Sequence, residues 1–510
     1  MLSRVPSPFG SGPRRLCAVL AAPTAHLMRS QLRAALKQTP TIELRLDWLR
    51  SDAERRKFLA WLRKEKFSSG TMIATCRRTE GGGRLSGGIP HELFWLMEAR
   101  AAGCSWCDIE METFRELPQQ SVRDYAVPSK IMLSIHDFDR TPPLPRTVEV
   151  AHHGHVDAVK IAALSKSYSD ALRLLEPAKK SRSFVAVPMG EVALPLRILA
   201  LRAGSALAYA PVGETTAPGQ VSLHQMKNLY RADQLNRATK IYGVIGDPVG
   251  HSLSPVLHNT AFVASRMNAV YLPFLVPDLR EFLKAVRAIG LRGFSVTIPH
   301  KETILQYLKS CDPLAAEIGA VNTVTVRGDG SLHGSNTDYL AVLHTLASRI
   351  KLRESRILIF GAGGSARAAA FALARSGASV AIYARREVAA RQLARACGGE
   401  ALPRKALRTE KFDAILNATP IGMHPHPGVS PLTAAELHCR VVMDLIYRPQ
   451  RTALLKLAAQ KRIATISGVE MFVAQGTAQW EIWTGERAPV EAMRRAVLRA
   501  LTHEEKIGRR

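Results

Sequence analysis

Lys160 lies inside the apolar run VDAVKIAAL, where Asp157 is the only nearby acid in the chain. Burial in such a run is expected to lower a lysine's pKa, and a neutral amine can attack a ketone to form an iminium. His136, in SIHDF, follows a second apolar run and can take up and return a proton near neutral pH, with Asp137 beside it oriented differently. Glu110 ends CSWCDIE, and Arg77 directly follows TMIATC. Glu43 and Arg45 are two apart in IELRL, which puts both side chains on one face of an extended strand. Turned inward, these charges need partners or a ligand to offset their desolvation. The ordinary alternatives are an ion pair at a strand end, a lysine whose ammonium stays in water, and a satisfied core histidine.

A second constellation follows residue 240. Lys301 comes after Pro299 and His300, and Asp338 ends GSNTD. Reducing a ketone creates oxyanion character, which a cationic proton donor stabilises while a carboxylate orients the amine. Ser252, Ser254, Thr297, Asn322 and Gln475 offer neutral hydrogen bonds suited to a polyhydroxylated ring. Taken singly, they read equally well as turn residues and helix caps, and Lys301 as a solvent-facing turn lysine.

The elements that must position these groups can be read from the apolar pattern. Eight short β-rich runs, Leu16–Leu20, Thr41–Leu46, Thr71–Cys76, Cys104–Glu110, Lys130–Ile135, Val156–Ile161, Ser183–Val187 and Ala206–Tyr209, alternate with helical stretches. That alternation predicts a (β/α)8 TIM barrel, in which the strand ends meet at one mouth. Lys160 is then expected at the end of the sixth strand, with His136 just beyond the fifth. After Asn236 the pattern restarts as an α/β domain, and Arg356–Phe360 reads as a strand running into GAGGSARAAAFALARSG. Such a strand, Gly-rich turn and helix form a Rossmann-like dinucleotide site: Gly361 allows the turn, Gly363 lets the backbone approach a pyrophosphate, and Gly364, Ser365 and Ala366 open the helix that binds it. The ribose is read near the end of SVAIY, where Arg385 and Arg386 stand instead of an acid and favour a 2′-phosphate, hence NADP, with Glu387 close by.

At 510 residues the chain exceeds one ordinary core. Hydrophobic residues at 46% and charged residues at 22% give a globular composition. A net charge of +27 attracts anions, but aromatics are only 6% and no nucleic-acid module is present, so small anionic ligands are expected rather than nucleic acid. The seven cysteines are scattered and give no disulfide framework. Cys104 and Cys107 form a lone CxxC without two further ligands, and His152, His153 and His155 lack an HExxH context, so no metal is expected. No apolar run spans a bilayer, and no secretory signal opens the chain, which places the protein in the cytoplasm as an expectation.

The segments ELRLD, TCR, DIE, SIHDF and VKIA, with MG at 189–190 and APGQ at 217–220, resemble type I 3-dehydroquinate dehydratase over about residues 15–230. The resemblance implies Lys160 as the Schiff-base lysine, His136 as the proton-transfer group and Glu110 as its orienting partner. It also implies Glu43, Arg45, Arg77, Arg197, Thr216 and Gln220 at the substrate, with Arg197 on its carboxylate. Ala193 stands where that family has glycine, and Leu196 and Thr216 where it has serine.

The segments GDPVGHSLSP, VTIPHK, GAVNT, NTD, GAGGSARA, NATPIGM and WTG resemble shikimate dehydrogenase over about residues 240–488. This likeness implies Lys301 and Asp338 as the catalytic pair, and Ser252, Ser254, Thr297, Asn322 and Gln475 as the substrate site. It assigns Arg385 to the NADP phosphate and Asn417, Thr419, Gly422 and Met423 to the nicotinamide side. Ser295, Ala384 and Arg386 depart from that pattern.

The expected domains are a tail at 1–14, the barrel at 15–230, a linker at 231–239, a substrate domain at 240–338 and an NADP domain at 339–465. A segment at 466–488 returns to the substrate domain, and a charged helix and tail occupy 489–510. The two implied reactions are consecutive. Alternatives are a quinate dehydrogenase in the second half, a class I aldolase in the barrel, and a ligand-binding module without turnover.

Overall fold

The computed structural model describes residues 7–65, 67, 70–116, 129–144, 156–213, 221–423 and 426–507. It divides into two units, Met1–Thr239 with Arg280–Ile289, and Lys240–Leu279 with Gly290–Arg510.

The first unit holds β1 (Leu16–Leu20), β2 (Thr41–Arg45), β3 (Thr71–Thr75), β4 (Trp106–Glu110), β5 (Lys130–Asp137), β6 (Ala158–Leu164), β7 (Phe184–Met189) and β8 (Ala208–Pro211). The strands form one parallel sheet in the order β7-β6-β5-β4-β3-β2-β1-β8. At the seam between β7 and β8, Ala206 N donates to Phe184 O at 2.8 Å, and Ala186 N donates to Ser205 Oγ at 3.0 Å, so the barrel is nearly closed.

Side chains of a strand alternate between faces, and the register converts that alternation into layers. Cys17, Ile73, Trp106, Met132, Ala158, Val185 and Tyr209 belong to one buried apolar cluster. Two residues further along the middle strands come Asp108, Ser134 and Lys160; Ser134 pairs with Lys160 in the β5–β6 ladder, and the Asp108 side chain, whose own ladder partner is Met132, reaches both through hydrogen bonds. Two more bring Glu110 and His136. The barrel therefore has an apolar floor, a polar middle layer and an upper acid–base layer. This corrects the strand-end placement. Lys160 is the third residue of β6, because the ladder to β7 continues through Leu164↔Met189, and His136 lies within β5. The Lys160 amine is thus inside the barrel rather than at its rim.

The second unit contains two sheets. In one, β9 (Lys240–Gly246), β10 (Ala269–Leu275), β11 (Leu291–Val296), β12 (Ser310–Cys311), β13 (Thr323–Val326) and β14 (Leu332–Ser335) run in the order β10-β9-β11-β13-β14-β12. Strand β13 is antiparallel to both its neighbours. In the other, β15 (Arg356–Phe360), β16 (Ser379–Tyr383), β17 (Glu400–Ala401), β18 (Phe412–Asn417), β19 (Cys439–Asp444) and β20 (Ala464–Ile466) are all parallel, in the order β17-β16-β15-β18-β19-β20.

The order reverses between β15 and β18, the switch point at which open α/β sheets bind ligands. Helix Gly364–Arg375 follows β15 and buries Ala366, Ala368, Ala369, Ala370 and Ala372 between the sheet and helix Thr337–Ala347, small residues that allow close approach. Helix Gly468–Thr484 returns to the first sheet, where Val469, Phe472, Val473 and Trp480 join the core of Tyr242, Leu257 and Phe262.

Candidate active sites

In the barrel, Lys160 Nζ donates to Asp108 Oδ2 and, at 3.3 Å, to Glu43 Oε1, and it lies 5.1 Å from the centroid of the Tyr209 ring. Ser134 Oγ donates to Asp108 Oδ1. The Thr75 hydroxyl lies 2.9 Å from Glu43 Oε1 and 3.2 Å from Asp108 Oδ2. Burial pulls the Lys160 amine down, but Asp108 and then Glu43 outweigh it, so its pKa rises above the ordinary lysine value. This overturns the expected lowering. The sequence offered only Asp157 as a neighbour, whereas Asp157 accepts from Ile131 N elsewhere and two unforeseen carboxylates meet the amine. The ligand-free amine is therefore an ammonium.

His136 Nδ1 donates to Glu110 Oε2 at 2.9 Å, and Arg77 Nε donates to Glu110 Oε1 at 2.7 Å. Burial works to raise the Glu110 carboxyl, but Arg77 and His136 hold it well below the usual carboxylate range. An ionised Glu110 fixes the proton on Nδ1 and leaves Nε2 with a lone pair. Burial, followed by the Arg77 charge, lowers the His136 pKa and keeps the ring neutral. Behind Arg77, Arg78 bonds Glu92 at 3.0 Å, and Glu92 in turn accepts from Thr113 at 2.8 Å, which ties the loop after β3 to the helix after β4. A Cβ on Gly83 would stand 2.1 Å from Arg77 O, so this loop requires glycine there.

Arg45 is gripped by Asp47 through bonds of 2.9 and 2.8 Å, so it reaches a ligand only from within that pair. Arg197, on the short helix Leu194–Ile198, is pulled down to about 10 by burial, with Glu43 partly offsetting it. A buried arginine of this kind suits an anion. Leu196, beside it, is buried in the core. Thr216, Gln220, His152, His153 and His155 lie outside the described residues. Cys104 and Cys107 are free, buried thiols whose pKa values burial pushes up.

In the second unit, Lys301 Nζ donates to Asp338 Oδ2 at 2.6 Å and to Ser365 Oγ at 3.0 Å. Asn322 Nδ2 donates to Asp338 Oδ1 at 2.8 Å, and Asn322 Oδ1 accepts from Thr337 N at 2.8 Å, so the carboxylate is held on both oxygens. His300 Nε2 bonds Val276 O at 2.7 Å and fixes the turn before Lys301. Ser252 Oγ donates to Ser254 Oγ at 3.1 Å. Ser295, the departure from the resembling pattern, donates to Gln479 Oε1 at 2.8 Å and lies 2.6 Å from the Tyr271 hydroxyl. Thr297 N pairs with Ile245 O at 3.0 Å beyond β11. Gln475 Nε2 is spent on Phe472 O of its own helix at 2.9 Å, leaving its carbonyl for a ligand.

A cavity of about 730 Å³ runs from Lys301 along Gly361, Gly363 and Ser365 to Arg385 and Arg386. Gly361 has φ +127°, and a Cβ there would meet Ala418 O at 3.0 Å; a Cβ on Gly364 would meet the Lys301 side chain at 3.1 Å. The Gly-rich turn therefore approaches Lys301 closely because Gly364 lacks a side chain, while Gly361 lets the same turn pass against Ala418. Glu387 faces Arg391 at 3.4 Å on its own helix. Asn417 is fully buried, donates to Asp444 and accepts from Thr419 N at 3.1 Å, so it braces the loop that lines the cavity rather than lining it. Gly422, at φ +98°, allows that loop's turn, and Met423 is exposed beyond it.

Three groups escaped the sequence reading. Asp108 was within reach of it, since it stands two residues before Glu110 on one strand, the spacing already used for Glu43 and Arg45. Tyr447, which bonds Ser252 and the Leu253 backbone, and Gln479 are brought in from remote elements and left no local signal.

A family model described as type I 3-dehydroquinase matches residues 16–237. Models for the shikimate dehydrogenase substrate binding domain and the shikimate 5'-dehydrogenase C-terminal domain match residues 244–324 and 468–498. The bifunctional 3-dehydroquinate dehydratase/shikimate dehydrogenase of Arabidopsis thaliana is 33% identical over 475 residues, covering 88% of this chain and 78% of that protein. The NADP(+) shikimate dehydrogenase of Methanothermobacter thermautotrophicus is 41% identical over 281 residues, covering 52% of this chain and 98% of that protein. That of Bacillus cereus is 42% identical over 275 residues, covering 51% and 99%.

Proposed function

Because the chain belongs to the family of bifunctional 3-dehydroquinate dehydratase/shikimate dehydrogenases, we propose that the two sites described above divide its two reactions between them. The barrel dehydrates 3-dehydroquinate to 3-dehydroshikimate, and the second unit reduces that ketone to shikimate with NADPH. The observation that carries this reading is the coexistence in one chain of a buried lysine beside a neutral histidine, and of a Lys–Asp pair whose lysine lines a cavity of about 730 Å³ shared with the Gly-rich turn.

In the first reaction, Lys160 captures the ketone as an iminium, which acidifies the adjacent carbon. His136 Nε2 removes that proton and returns it to the hydroxyl leaving two carbons from the imine, while Glu110 keeps the imidazole turned the right way. Arg197 holds the ring carboxylate, and Glu43, Arg45 and Arg77 complete the described part of the site; the family resemblance adds Thr216 and Gln220 as substrate contacts. Since His136 must be neutral to act and its pKa is lowered, activity is retained as pH falls. The acid limb of dehydratase kcat/KM is expected below about pH 6.5, and a pH–rate profile with its limb above that value would contradict the assignment.

In the second reaction, NADPH supplies the reducing equivalent when bound. Gly361, Gly363, Gly364, Ser365 and Ala366 would hold its pyrophosphate, Arg385 would bind its 2′-phosphate, and Thr419, braced by Asn417 and followed by Gly422 and Met423, would lie on the nicotinamide side. Ser252, Ser254, Thr297, Asn322 and Gln475 hold the substrate hydroxyls and carboxylate. Lys301, oriented by Asp338, gives a proton to the nascent alkoxide. Replacing Arg385 with alanine is expected to lower the NADPH-over-NADH preference about 10- to 100-fold, the worth of one or two hydrogen bonds to a charged group, as read from kcat/KM for each nucleotide.

The test of the whole reading is an assay on the intact chain: 3-dehydroquinate should drive NADPH consumption without added dehydratase, with shikimate as product. Among the described residues no helix is long and apolar enough to cross a membrane. All seven cysteines are unpaired, which supports a reducing compartment, and we assign the protein to the cytoplasm.

A further inference from the structure

The Asp108 side chain is fully shielded from solvent, and every bond it makes is to a side chain. Lys160 Nζ and the Thr75 hydroxyl sit on Oδ2, and the Ser134 hydroxyl sits on Oδ1. A polar partner on each oxygen fixes the carboxylate plane, with one lone pair aimed at the amine. Burying an ion pair this deeply costs more than packing apolar groups of the same size. A stability role alone is thus a poor account of its presence at the centre of the barrel.

The chemistry at Nζ supplies a better one. Condensation converts the ammonium and the ketone into an iminium and water. The nitrogen–carbon bond forms, the carbonyl carbon–oxygen bond breaks, and two N–H protons leave with that oxygen. One positive charge sits at Nζ before and after, so a carboxylate placed for the ammonium is already placed for the iminium. Only the protonated imine is a strong electron sink, and a fixed anion in a water-poor site opposes loss of its last proton. We infer that Asp108 is the counter-ion of the iminium at Lys160, keeping the imine nitrogen protonated while His136 deprotonates the adjacent carbon; this rests on the dehydratase reading of the barrel.

Among the described residues, the other titratable groups around this pair are Cys17 on β1, Glu43 and Arg45 on β2, Arg77 after β3, Glu110 on β4, His136 on β5, Arg197 after β7 and Tyr209 on β8. Arg77 opposes the ammonium, and Glu43 Oε1 accepts from it at 3.3 Å while sharing the single Thr75 hydroxyl proton with Asp108 Oδ2. Asp108 makes the closer contact.

The test uses the full chain with 3-dehydroquinate and cyanoborohydride, a reagent that reduces iminium ions but not neutral imines, followed by peptide mapping of Lys160 between pH 5.5 and 8.5. Wild-type yield is expected to be flat across this range. In Asp108→Asn, which keeps the shape, yield is expected to fall at least about tenfold between pH 6 and 8, as an imine without its counter-ion loses its proton. Asp108→Glu should restore the flat profile, and thermal unfolding of each variant reports the barrel's integrity. A wild-type-like profile in Asp108→Asn overturns the proposal, as does a folded Asp108→Glu that forms no adduct at any pH. Absence of any Lys160 adduct in the wild-type chain overturns the dehydratase reading itself, and the counter-ion with it.

Discussion

Lys160→Ala is expected to lower dehydration of 3-dehydroquinate by at least about 10^4-fold, because the whole electron sink is built on that amine and no neighbouring group can form the imine. Arg197 and the rest of the site remain, so substrate binding should survive better than turnover, and kcat should carry the loss. The variant also leaves Asp108 and Glu43 as two buried carboxylates without their shared cation. One of them is then expected to take up a proton, since uncompensated charge in this interior costs several kcal/mol. Reduction of supplied 3-dehydroshikimate by the same protein is expected to stay within about twofold of wild type, as that site shares no partner with Lys160. Persistent dehydration by a purified alanine variant, with host enzyme removed, would sink the Schiff-base assignment.

Lys301→Ala is expected to reduce kcat for 3-dehydroshikimate by about 10^2- to 10^4-fold, the usual worth of a positioned proton donor. Substrate KM should move less, because Ser252, Ser254 and Asn322 keep their bonds. The geometry adds a second expectation. Asp338 Oδ2 bonds Lys301 while Oδ1 is held by Asn322. Asp338→Asn should therefore also lower kcat, and combining it with Lys301→Ala should cost much less than the product of the two single losses, as for groups acting as a unit. Strict additivity in that double-mutant comparison would show that the two act independently. Dehydratase activity of both variants, assayed by enone absorbance, is the internal control.

The barrel was legible because apolar runs alternate with helical stretches, and the order of eight strands follows from that alternation. The strand boundaries were less so. β6 runs on to Leu164 because β7 extends to Met189 beside it, and a ladder is a property of two strands. The dinucleotide turn was legible because its chemistry is local: Gly361 and Gly364 are needed for close backbone approach, whatever else the chain does. The position of Arg385 just after the next strand, where it lines the cavity, was equally local, while Tyr447 and Gln479 reach their partners from distant helices and loops and left no pattern to read.

By itself the sequence determined which reactive groups exist and, through the period of two, which of them share a strand face. Whether Lys160 is charged was settled only by tertiary structure. The apolar run around it argues for a neutral amine, but the nearly closed sheet brings Asp108 from 52 positions away and Glu43 from 117 positions away onto the same nitrogen. Protonation depends on the through-space field of neighbours, and no stretch of sequence around a residue contains that field.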